Sequence, residues 1–254
     1  MSLDTWTADA LRSELRPWTG RGWRLVEAQH LVSTMKIVDG SDEQAVLEEI
    51  LETAKPPVPQ PCQHLHYLLS TPFRYDGPYP HGSRFRRAGM TPGVWYGSEA
   101  VEAAVAEMVF YRILFYADSP ETPWPEDAGV YTAFSVKLAS GRALDLTAAP
   151  LAADVALWTD PVSYGACQTL EERARAAGAT LIRYQSVRDL EGRANVAVLD
   201  CATFAENAPG DRQTWRVHLS AHGAQALCEF PDIRLSFGPE TFDDPRLSAL
   251  AWVR

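Results

Sequence analysis

Four prolines fall within Lys55-Pro-Pro-Val-Pro-Gln-Pro61, and no other segment limits the fold so strongly. Each proline lacks an amide donor and restricts the residue before it, so neither a helix nor a central strand passes through. The stretch reads as a semi-rigid connector. It divides the chain into residues 1–61, a helical N-terminal extension with its connector, and residues 62–254, the main domain. Upstream, residues 4–54 read as helical and acidic. In Ser41–Ala54, Ser41 is placed to cap, acids fill the first turn, and Val46, Leu47, Ile50 and Leu51 recur at helical spacing.

Past Gln63 the pattern changes to short strands and turns. Gly93–Gly97 predicts a strand, with Ser98 capping a helix over 99–116. Val130–Leu138 alternates as a strand, Ala194–Leu199 is a short buried one, and 171–177 is a short helix closed by Gly178. Alternation at Trp215, Val217 and Leu219, a turn at Ala221–Ala224, and renewed alternation to Phe230 predict a hairpin. The fold class is α+β, one mixed α/β domain behind a helical extension.

Composition removes several function classes. Eight Trp, nine Tyr and nine Phe give a core that disordered chains lack. A net charge of −10 excludes whole-surface nucleic-acid binding, which needs a basic face. Cysteines at 62, 167, 201 and 228 are far apart and form no CxxC pair, which reads as a reduced compartment rather than a disulfide framework. The N-terminus has no signal-like apolar run, and the most apolar stretch, 108–117, is short and contains Arg112. The expectation is a cytoplasmic protein with no membrane contact.

Three constellations carry chemistry. Between Thr53 and Ser98 the only acid is Asp76, against Lys55, Arg74, Arg84, Arg86, Arg87 and the neighbouring His81. Guanidinium forks suit phosphate oxygens, so this is a candidate anion cradle, or else a solvated loop. Glu107 has Ala103, Ala104, Phe110 and Tyr111 at helical neighbour positions, and a carboxylate so placed needs a cationic or hydrogen-bonding partner. It reads as a catalytic group facing the basic stretch or as half of a structural ion pair. Ser186 lies at a strand edge beside Arg188, without the GxSxG turn of a hydrolase nucleophile. Alternating Cys62, His64 and His66, and the pair His218 and His222, have metal-like spacing, but no metal is expected.

Together these residues resemble the RES domain family. The matching text is Thr71-Pro-Phe-Arg-Tyr75, His81-Gly-Ser-Arg-Phe85, Gly93-Val-Trp-Tyr-Gly-Ser98, Ala104-Val-Ala-Glu107, Tyr184-Gln-Ser-Val-Arg188 and Asn195. Family members often have Arg-Trp-Asn where this chain has Arg84-Phe-Arg86. The resemblance implies a fold related to ADP-ribosyltransferases and the toxin half of a toxin–antitoxin pair with an Xre-type antitoxin. It also implies action on NAD as substrate, with no cofactor. The reaction is hydrolysis or phosphorolysis of the nicotinamide–ribose bond, or alternatively transfer of ADP-ribose to a protein. A non-enzymatic nucleotide-binding subunit is the rival from another class. On this reading Arg84, Glu107 and Ser186 are catalytic, and Arg84, Tyr96, His81 and Arg188 bind NAD. Operator contact belongs to the antitoxin, with which the chain could form an oligomer.

Overall fold

The computed structural model describes residues 5–27, 37–75, 82–89, 92–248 and 250–253. An eight-stranded sheet organises them. In chain order the elements are α1 (Ala8–Glu14), β1 (Arg16–Glu27), α2 (Ser41–Thr53), β2 (Trp95–Ser98), α3 (Val101–Asp118), β3 (Gly129–Asp145), α4 (Gly165–Ala177), β4 (Leu181–Gln185), β5 (Ala194–Val198), β6 (Arg212–Ser220), β7 (Gly223–Cys228) and β8 (Ile233–Phe237). The strand order is β1-β2-β5-β4-β3-β6-β7-β8, and β1 also pairs with β3, so the first five strands close a circuit. Only β3 and β4 run parallel.

The α+β class and the hairpin are as expected, with the turn falling between Ser220 and Gly223. Gly178 closes α4 at φ 87, a left-handed position that favours glycine. The helical reading of residues 4–54 fails at β1. That strand pairs with β3 from Trp18 opposite Ser140 to Glu27 opposite Tyr131, so the segment before the prolines supplies a strand to the main sheet. Arg16–Glu27 mixes glycine, tryptophan and charge without a clean period of two, so the long-range pairing decides its conformation. Ser98 ends β2 rather than capping α3, whose cap is Ala100, and Gly40 rather than Ser41 precedes α2.

The cysteine reading also needs correction. Cys62 and Cys201 form a disulfide, with Cα atoms 5.5 Å apart. Wide spacing argues against a dense framework but not against one bridge that ties the end of the proline segment to the turn after β5. The same bond removes Cys62 from the Cys62/His64/His66 pattern, and His66 accepts a hydrogen bond from the Leu68 amide. Among the described residues no helix is long and apolar enough to cross a membrane.

Three apolar cores follow from the sheet. Val105, Val109, Phe110 and Ile113 of α3 pack on Trp215, Val217 and Ala226 of β6–β7. Leu170 and Ala174 of α4, with Leu11 of α1, pack on Ile182 and Ala197. On the other face Trp95, Phe134, Val136, Leu181 and Val198 surround the disulfide. Burying such side chains contributes about 1.5–3 kcal/mol each, which makes β1 and β3 the frame for everything between them. A chain beginning at residue 28 should therefore lose its cooperative thermal transition. An unchanged melting midpoint would mean that β1 is an appendage.

Candidate active site

A cavity of about 490 Å³ opens between α3, β1 and the ends of β2, β4 and β5. Its floor follows from strand register. Tyr184 lies opposite Asn195, Asn195 opposite Ser98, and Ser98 opposite Trp23, so four neighbouring strands place these side chains in one row along the cavity. Its wall is one face of α3, with Ala104, Glu107, Met108, Tyr111, Arg112 and Phe115 recurring at helical spacing. At 1.5 Å per residue that face is about 16 Å long.

Glu107 lies one turn in from the N-terminal end of the wall, half-buried. Its Oε1 accepts hydrogen bonds from Ser186 Oγ at 2.8 Å and from Asn195 Nδ2 at 2.7 Å. Ser186 Oγ in turn accepts the amides of Arg188 at 3.2 Å and Asp189 at 3.1 Å. With its lone pairs so used, the hydroxyl has its own proton to give to Glu107. The sequence expectation of a ligand-binding serine is thus altered: the observed contact of Ser186 is to the carboxylate. Among the described residues Glu107 has no ion pair, so the structural salt bridge that was its bland alternative is not formed.

Arg84 is buried and lines the same cavity. Its Nη1 donates to the Trp158 carbonyl at 2.8 Å, and its guanidinium lies 4.6 Å from the centre of the Tyr164 ring. No carboxylate pairs with it among the described residues. Arg87 instead pairs with Glu172, and Arg74 and Lys55 with Glu52, so three cations of the basic stretch are taken up in structural pairs. Tyr96 fixes the turn that presents Arg84. Its hydroxyl is 2.8 Å from Ser83 Oγ and accepts the Phe85 amide at 2.9 Å. Burial pushes that hydroxyl up to about 12, so it remains protonated in neutral solution. Cys167 touches Arg84, but burial raises its thiol and leaves a poor nucleophile.

Arg188 also lines the cavity, although its head group is engaged elsewhere. Its guanidinium carbon lies 3.6 Å from the centre of the Phe110 ring, and the group donates to the Pro161 carbonyl at 2.9 Å and pairs with Asp244 at 2.8 Å. Its expected role in binding NAD meets this obstacle. Arg24 lines the cavity too, but its register partner is Phe134 and its head lies over Trp95, on the far side of the sheet. His81 lies outside the described residues. Asn195 and Asp244 are the contributors that site reasoning from sequence left without a role. Asn195 had a signal, a polar side chain within an otherwise apolar buried strand.

The arrangement defines an α+β domain whose cavity holds a carboxylate and a guanidinium that do not pair with each other. The family model for the RES domain matches residues 58–220, and the chain belongs to that family. Among solved structures, the M. tuberculosis MbcT–MbcA toxin–antitoxin complex contains a chain with 12% identity, covering 83% of this chain and 92% of that one, at a TM-score of 0.48. No curated protein matches the sequence significantly.

The Tyr96 contacts give a direct test. Tyr96→Phe removes the acceptor of the Phe85 amide and should cost about 1–3 kcal/mol in urea denaturation. A variant with wild-type stability would show that the hydroxyl does not hold the Arg84 turn.

Proposed function

We propose that this chain consumes NAD by breaking its nicotinamide–ribose bond, and that an Xre-type antitoxin neutralises it as the toxin of a pair. The observation that carries the chemistry is the unpaired state of Glu107 and Arg84 within one cavity. Glu107 is held by two neutral donors, which orient it without supplying a compensating charge. Cleavage of the bond develops positive charge on the ribose while nicotinamide departs as a neutral group. A fixed carboxylate in a partly enclosed site stabilises that charge. Arg84, already oriented by Trp158 and Tyr164, offers its remaining donors to the pyrophosphate.

The size agrees with this substrate. A wall of about 16 Å suits an extended dinucleotide, and cavities of this volume commonly bind ligands of comparable bulk. Tyr96, Tyr111, Tyr164 and Tyr184 line it, offering aromatic faces for the nicotinamide and adenine rings. Water is the acceptor in hydrolysis: its oxygen forms the new bond to C1″ of the ribose, nicotinamide takes the bonding electrons, and a proton is released. Phosphate in place of water gives ADP-ribose-1″-phosphate. The antitoxin is part of this proposal, and the resemblance to RES-domain toxins is what supports it.

Purified chain incubated with NAD, with and without phosphate, should release nicotinamide together with free ADP-ribose or its 1″-phosphate. Label transferred to protein would identify the ADP-ribosyltransferase chemistry instead. Glu107→Gln should fold and lose about 10²–10³-fold in turnover. Ser186→Ala should lose less, because Asn195 still holds the carboxylate. Arg84→Lys should weaken NAD binding by about tenfold, the equivalent of one charge-assisted hydrogen bond. Wild-type turnover in a folded Glu107→Gln protein would reject the assignment.

A further inference from the structure

The segment that follows the matched family region completes the site. After β8 the chain returns through a short turn at Pro245–Leu247, with Asp244 as its cap. The Asp244 side chain is fully buried and binds two arginines, Arg188 at 2.8 Å and Arg246 at 2.8 Å. Both guanidiniums flank the Phe110 ring, and both donate to the Pro161 carbonyl. Arg246 is partly exposed and has water within reach. The Arg188 side chain is only 2% exposed, so its charge depends on Asp244.

The backbone next to that charge is the backbone that orders Glu107. The Arg188 amide bonds Ser186 Oγ, and Ser186 bonds Glu107. The backbone of Arg188 is therefore no more than two hydrogen-bond lengths from Glu107, well within the span of an arginine side chain. A buried cation without a counter-ion turns to a carboxylate within its reach, and among the described residues Glu107 has no ion pair that would compete. We propose that Asp244 is a positioning residue: it retains the Arg188 guanidinium against Phe110 and thereby keeps Glu107 unpaired and available to substrate. The role in turnover rests on the NAD-consuming reading given above, whereas the placement of Arg188 does not.

The test is Asp244→Asn, which keeps shape and removes charge. Its crystal structure should show Arg188 turned from Phe110 onto Glu107. Its kcat for NAD should fall at least tenfold with KM changed by less than about threefold, because the carboxylate is neutralised while the Arg84 side of the cavity remains. Adding Arg188→Met, which removes the displaced cation and keeps the contact with Phe110, should restore most of the lost kcat. A purely structural role predicts that folded Asp244→Asn keeps Arg188 against Phe110 and loses stability with little change in kcat. If Asp244→Asn does not fold, the double variant replaces both halves of the pair and remains testable: recovery of fold and turnover supports the proposal, and a folded but inactive protein overturns it. Arg188 still against Phe110 in Asp244→Asn overturns it as well. Should the wild type leave NAD intact, the functional reading fails, and the crystal structure of Asp244→Asn still decides where Arg188 goes.

Discussion

A carboxylate held by a hydroxyl and an amide, rather than by a cation, is the contact around which this molecule is arranged. Ser186 and Asn195 both point their donors at one oxygen of Glu107. Neutral donors orient the group and leave its charge uncompensated, whereas an arginine at the same place would orient it and cancel it. Keeping arginines away is then a structural problem in a cavity lined by Arg24, Arg84, Arg112 and Arg188. Each is held elsewhere: Arg24 over Trp95, Arg84 by Trp158 and Tyr164, Arg112 by Glu27 and Tyr131, and Arg188 by Asp244 and Phe110.

The sheet makes those separations possible. β3 is long enough to pair with β1 from Tyr131 to Ala143, with β6 along its first part and with β4 at its end. One strand therefore fixes both the floor of the cavity and the surface on which α3 rests. α3 is apolar on the side facing β6–β7, and its opposite side carries Glu107. The closed circuit of five strands removes the freedom to slide by a residue, which would turn Asn195 away from the carboxylate and Ser98 out of the cavity.

Much of the site was legible in the sequence, for local reasons. Gly93–Ser98 followed by an apolar helix announces a strand and the helix bearing Glu107, and an arginine-rich turn just before it announces Arg84. What each side chain contacts was less legible. Ser186 was visible as a serine at a strand edge, but only folding decides between ligand and carboxylate as its partner. Asp244 gives no signal, since its meaning lies in Arg188, far away in the chain. β1 was missed because Trp18–Glu27 has no period of its own, and β3 imposes the extended form upon it. The disulfide was missed for a similar reason, since proximity of Cys62 and Cys201 depends on tertiary structure alone.

The order of the chain has a consequence for biosynthesis. β1 is made before β3 and waits for it, while β6 and Asp244 are made after the elements that carry Glu107, Ser186 and Asn195. A ribosome that has just produced those three residues has made the carboxylate and its holders, yet Arg188 still lacks Asp244 and β3 still lacks β6. The cavity therefore takes its final form only after Asp244 has been made. Until then the carboxylate and its two donors exist without the ion pair that anchors Arg188.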